Sequence, residues 1–175
     1  NKMSLLLFGL LLLGEGLMVL LIVKNHRASL LDRLTGLGNR MAFRQASTEP
    51  ANPELILINL NGFKHINNFF GIEGGDFVLT QLAKRLRQGF EGEAEVFRIS
   101  GDEFGLLFDG QGLAGLGLAS HKVQALLEAP FDYKDLHIQA EASIVITDYP
   151  PLLTKANMVM SQLKDAEEQS VMAYS

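Results

Sequence analysis

The chain contains no cysteine. Disulfides and thiolate metal sites are therefore excluded, and the redox compartment is unreadable. Its four histidines, His26, His65, His121 and His137, stand far apart. None has metal-ligand spacing, so they read as surface or loop residues. A positive balance is also missing: 15 Lys and Arg against 20 Asp and Glu leave a formal charge of −5. That argues against a sequence-independent nucleic-acid binder, which needs cations to meet phosphates. No internal repeat is present. No small-residue cleavage site follows the long apolar run, which disfavours a signal peptide. The first residue is Asn1 rather than Met, and the expectation is a fragment of something longer.

What is present suits one domain plus an extension. Of 175 residues, 47% are hydrophobic and 20% charged, enough for a sizeable core. Residues Ser4 to Val23, SLLLFGLLLLGEGLMVLLIV, are almost wholly apolar. Such a run is long enough to span a bilayer as a helix. Lys24, His26 and Arg27 follow it, which predicts an inner-membrane anchor with the rest of the chain in the cytoplasm. Glu15 interrupts the run between Gly14 and Gly16 and would have to be neutral or paired. The alternative is a helical stalk buried in an oligomer or partner. The expected division is residues 1–30 as apolar helix and linker, and 31–175 as the domain proper.

Along that domain, Gly36 and Gly38 mark a loop, and Asn39 can cap a short helix over Arg40 to Ala46. Ser47 to Pro53 is a turn-rich connector. Leu55-Ile56-Leu57-Ile58 is a continuous apolar run, as in a strand buried on both faces. It ends at Asn59-Leu60-Asn61-Gly62. A lysine-bearing segment, Phe63 to Phe70, precedes a glycine-rich loop over Gly71 to Asp76. Asp76 is the expected N-cap of an amphipathic helix from Phe77 to Gln88. A second helix is predicted over Leu113 to Glu128, stopped by Ala129-Pro130. Leu136 to Thr147 alternates as a strand, with Ile138, Ala140, Ala142, Ile144 and Ile146 on one face. Leu152 to Glu168 reads as a third helix and Val171 to Tyr174 as a final strand. This order predicts an α+β fold: a ferredoxin-like split βαβ domain, of nucleotide-cyclase or palm type, with a mixed central sheet after a long N-terminal helix. Helices would cover one face, with the N-terminal and third helices partly covering the other.

The centre of the pattern is Val96 to Phe108, two apolar strands around the tip Ser100-Gly101-Asp102-Glu103. Gly101 relieves the bend. Two adjacent carboxylates at an exposed tip are costly unless a cation or polar ligand faces them. The alternative is a solvated acidic turn. In the split βαβ plan the end of the first strand lies beside this tip, so Asn59, Asn61, Asp102 and Glu103 converge. Oxygen ligands at adjacent strand ends suit Mg²⁺-assisted phosphoryl or nucleotidyl transfer. Lys64 could contact a terminal phosphate, and the amides of Gly62 to Lys64 could form an anion-binding nest. Asn67 and Asp76 bracket the loop and could read a purine edge. From position alone, Asn67 is more often a turn former and Asp76 a helix cap.

Together these residues carry a resemblance. Asp32-x-Leu-Thr-Gly-Leu-x-Asn-Arg40, Phe63-Lys64-x-Ile66-Asn67, Gly75-Asp76, Arg98-x-Ser-Gly-Asp-Glu-Phe104 and Ala142-Ser143-Ile144 occur in the order of the bacterial GGDEF (diguanylate cyclase) family, which the chain resembles from about residue 30 to its C-terminus. The resemblance implies a GTP site with Mg²⁺, and two such domains facing each other to make cyclic di-GMP. By that likeness Asp102 and Glu103 are the catalytic acids. The metal set is Asp102, the backbone of Leu60, and Asn59 in place of the family's aspartate. Asn61 replaces a second aspartate. Lys64 and Lys164 match phosphate contacts, and Asn67 and Asp76 match guanine readers. Ser100 stands for the first glycine of the hairpin motif, Asn68 for an acidic residue, and Glu168 for an arginine. The family's product-inhibition pair falls on Glu91 and Ala94, so that site is expected to be lost.

These departures have a direction. Asn59 and Asn61 remove negative charge where Mg²⁺ would sit, and Glu168 adds it where phosphates would approach. The expectation is a GGDEF-type domain that is catalytically weak or inactive. It would bind GTP and regulate a neighbour such as an EAL phosphodiesterase, since Ala129-Pro130-Phe131 resembles tandem proteins of that kind. The alternatives are an active diguanylate cyclase and a structural dimerisation module.

Overall fold

Strand β1, Pro53–Leu60, is the spine of the domain. Leu55, Ile56, Leu57, Ile58 and Leu60 are all at most 1% exposed, as the unbroken apolar run requires. In the computed structural model, which describes residues 2–148 and 151–173, β1 pairs on both sides. Its neighbours are β3, Glu103–Asp109, and β6, Ala142–Thr147; β2, Glu95–Ser100, completes the order β2-β3-β1-β6. Every strand pairing in this sheet is antiparallel, where a mixed sheet was expected. The α+β split βαβ plan itself holds: each crossover skips one strand, and the skipped strand runs opposite to both.

Alternation along β1 builds two apolar layers. Ile56, Ile58 and Leu60 face α3, Phe63–Gly89, and α4, Gly112–Glu128. Leu55 and Leu57 face Phe43 of α2, Arg40–Ala46, and Leu152, Leu153, Ala156 and Met160 of α5, Leu152–Ala173. Helix α2 thus shares the cover of this face with α5. Asn39 caps α2 as expected, its Oδ1 accepting from the amides of Met41 at 2.9 Å and Ala42 at 3.1 Å.

Four further expectations change. Helix α3 runs from Phe63 straight through the expected loop, kinked at Gly71 (φ +76°), so Asp76 lies inside a helix and caps nothing. The strand expected over Leu136 to Thr147 is broken: β5, Leu136–Ile138, pairs with β4, Phe131–Tyr133, as a separate hairpin, and only β6 joins the main sheet. The final strand over Val171 to Tyr174 is instead the end of α5 through Ala173, and Tyr174 lies outside the described residues. The fourth concerns the N-terminus. Residues Asn1–Leu31 form one unit, holding α1, Lys2–Ser29, and Asp32–Ser175 form another. The apolar run is helical, yet among the described residues no helix is long and apolar enough to cross a membrane. The expected anchor is therefore unsupported among the described residues.

Candidate functional site

The end of β1 meets the hairpin between β2 and β3 through backbone and side chain together. Register sets Asn59 directly opposite Glu103 on β3 and opposite Ser143 on β6. One residue on, the Leu60 amide donates to the Asp102 carbonyl at 3.1 Å. The Asn61 amide donates to the Glu141 carbonyl at 2.8 Å, and Asn61 Oδ1 accepts from Ser143 Oγ at 2.8 Å. The tip is held from below by Arg98. Its Nε and Nη2 donate to the Gly101 carbonyl at 3.1 and 2.6 Å, and its Nη1 pairs with Asp32 at 3.0 Å. Burial pushes the Asp32 carboxyl up, but hydrogen bonds from the Thr35 hydroxyl and amide and the Arg98 guanidinium outweigh it. The net result holds Asp32 below the ordinary carboxylate value.

Asn59 is 2% exposed. Its Nδ2 donates to Glu103 Oε1 at 3.2 Å, and Ser100 Oγ donates to Glu103 Oε2 at 2.5 Å. Both oxygens of Glu103 therefore have protein donors. Asn59 Oδ1 is buried with no hydrogen-bond partner. This arrangement was not legible from the sequence, which marked Ser100 only as a missing glycine.

A cleft of about 330 Å³ opens beside this pair, lined by Asn59, Leu60, Asn61, Lys64, Asp102 and Lys164, with Gly62, Phe63 and His65 at its edge. Six residues singled out from sequence, Asn59, Leu60, Asn61, Lys64, Asp102 and Lys164, thus share one cavity. Lys64 sits in the first turn of α3, after Gly62 in the left-handed region (φ +61°). Helix N-terminal amides and a lysine together favour an anion there. Lys164 is exposed on α5, and among the described residues neither lysine has an ion-pair partner. Asn67 and Asp76 do not line this cleft. They stand on the two sides of the Gly71 kink, where Asn67 packs against Gly75, the residue before Asp76. The side chain of Glu168 lies outside the described residues.

The expected metal set fits poorly. Divalent magnesium takes near-octahedral oxygen ligands and relies on carboxylates. Here Asp102 alone faces the cleft as a carboxylate without a hydrogen-bond partner, Asn59 offers a neutral oxygen, and Glu103 is engaged by Asn59 and Ser100. Among the described residues no group of three or more His, Asp or Glu could hold a metal ion.

A split βαβ sheet with an acidic hairpin against a lysine-lined cleft defines a palm-like class of α+β domains. Within it, the family model described as "Diguanylate cyclase, GGDEF domain" matches residues 29–170. The chain belongs to the GGDEF domain family. It is 29% identical over 149 residues to the bifunctional diguanylate cyclase/cyclic di-GMP phosphodiesterase MucR of Pseudomonas aeruginosa, covering 77% of this chain and 22% of that protein. It is 33% identical over 119 residues to diguanylate cyclase DgcN of Escherichia coli, covering 63% and 29%. The chain thus spans less than a third of the length of these curated relatives. The crystal structure of diguanylate cyclase SiaD in complex with its activator SiaC, from P. aeruginosa, shares the fold with a TM-score of 0.73 at 21% identity, covering 87% of this chain and 64% of that one.

Proposed function

We propose that this GGDEF domain is catalytically weak or inactive and works in cyclic di-GMP signalling as a GTP-binding regulatory module. The observation that carries this reading is the hydrogen bond from Asn59 to Glu103, which replaces an acidic pair by an amide–carboxylate pair. Family members use Mg²⁺ and GTP. Catalysis of phosphoryl transfer rests on positioned charge, and an amide at residue 59 removes one unit of it. The means of binding are kept. Lys64 and Lys164 face the cleft as point charges for phosphates, and the first amides of α3 add to them. Asn67 and Asp76 would read the guanine across the kink. As a module working on GTP, the domain would lie in the cytoplasm.

The regulated neighbour would be an EAL phosphodiesterase in the same polypeptide. Support comes from MucR, a bifunctional relative far longer than this chain. A homodimer is the other possible assembly, and the family's way of making cyclic di-GMP would require it. The product-inhibition site would be absent, with Glu91 and Ala94 in the place of its pair.

Calorimetric titration with GTP tests the binding half. Saturable heat is expected from the wild type, weakened in Lys64→Ala. Each exposed phosphate contact contributes on the order of 1 kcal/mol, about a fivefold change in Kd. No heat from a folded wild type would end the reading.

A further inference from the structure

We propose that Glu103 is a brace of the hairpin rather than a cation ligand, so that the acidic tip stands without a divalent ion and the lysines hold nucleotide phosphates directly. Register puts residue 59 opposite Glu103 as a cross-strand pair. Two carboxylates at that spacing repel and need a cation between them. With Asn59 the cation's place is taken by an N–H. Nδ2 donates to Oε1 while the Ser100 hydroxyl donates to Oε2, which ties β1 to both ends of the hairpin tip. A divalent ion at Glu103 would have to compete with these two donors for the carboxylate's lone pairs. In return it would gain one neutral oxygen, Asn59 Oδ1, beside the single carboxylate of Asp102.

The same geometry says what Oδ1 accepts. Its partner nitrogen is committed to Glu103, and the oxygen is buried at the cleft wall without a donor. A neutral acceptor so placed is satisfied by an O–H or N–H of a ligand, such as a sugar hydroxyl, or by water. The nucleotide half of this proposal rests on the GTP-binding reading above; the brace does not.

Three measurements on the full chain test it. The first is Mn²⁺ paramagnetic resonance on the wild type without nucleotide. An undiminished free-ion signal is expected, and a signal depleted by the wild type but not by Glu103→Gln would overturn the brace. The second is thermal melting in EDTA and in Mn²⁺. The wild-type Tm should be the same in both. Asn59→Asp should melt several degrees lower in EDTA and recover with Mn²⁺, because it restores the pair that needs a cation. A wild-type Tm that rises with Mn²⁺ contradicts the proposal. Should Asn59→Asp fail to fold, Ser100→Ala carries the arm: a lower Tm with no response to Mn²⁺ is expected, and an unchanged Tm counts against the brace. The third is GTP titration in EDTA against Mg²⁺. Affinity equal or tighter in EDTA is expected, since Mg²⁺ masks the charge that the lysines attract. Binding only with Mg²⁺ overturns direct phosphate contact. Heat under neither condition removes the GTP-binding reading, and the Mn²⁺ arms still decide the brace.

Discussion

Replacing Gly75 by alanine should uncouple nucleotide recognition from folding. A Cβ at Gly75 would overlap Asn67 Oδ1 and come within 3.1 Å of Phe63 Cζ. The first obstacle is the end of a side chain, which can rotate away, and the second must yield by only tenths of an ångström. Overpacking of this kind costs about 1–3 kcal/mol. Gly→Ala inside a helix returns about 0.5–1 kcal/mol. The net loss is therefore small, and at about 2–4 °C per kcal/mol the Tm should fall by a few degrees. The Asn67 amide, however, is displaced from the guanine edge it is proposed to read. Losing one or two hydrogen bonds at about 0.5–1.5 kcal/mol each weakens GTP by roughly tenfold. Calorimetry with GTP and a parallel melt read both quantities. Unchanged affinity in a normally folded Gly75→Ala chain would refute the role of Asn67. A large collapse of Tm would show that the close approach serves the fold instead.

Other positions give independent checks. Glu54 is 5% exposed and accepts from the amides of Gln111 and Gly112 at 2.7 Å each, capping α4 from the neighbouring strand where Gln111 offers no side-chain cap. Glu54→Ala should lower unfolding free energy by about 1.5–3 kcal/mol, measured by urea denaturation. Leu57 is fully buried between the sheet and the α2–α5 layer, and Leu57→Ala should cost about 2–5 kcal/mol in the same assay. The lowered pKa of Asp32 means that the folded state binds fewer protons there than the unfolded chain. Its stabilisation is present above the ordinary carboxylate pKa and is lost as pH falls through the lower folded value. Urea midpoints across that acid range should decline less steeply in Asp32→Asn.

Much of this architecture is written locally. The Leu55–Ile58 run, the Asn39 cap and the acidic hairpin tip each depend on a few adjacent residues, and each lies where local chemistry puts it. The errors share a different cause. Gly71, Gly74 and Gly75 read as a loop because glycine is a poor helix former. Only Gly71 is used for its backbone freedom. Gly74 and Gly75 are buried in α3, where a Cβ would strike Phe70 and Asn67. Tertiary packing, not propensity, decided that helix. The alternation from Leu136 to Thr147 suggested one strand, yet Ile138 pairs with Phe131 and Ala142 with Leu60. A change of partner leaves no mark on a period of two. In the site, the residue types around the cleft were legible from the motifs. The Asn59–Glu103–Ser100 network was not, because it follows from cross-strand register and donor geometry.

The central claim is that an amide at residue 59 leaves the cleft beside it without an effective catalytic centre. Its most direct test is to incubate the full chain with GTP and Mg²⁺ and quantify cyclic di-GMP, beside Asp102→Ala as the blank. The wild type should give no product above that blank, or only a trace. Sustained cyclic di-GMP formation by the wild type, abolished in Asp102→Ala, would contradict the account.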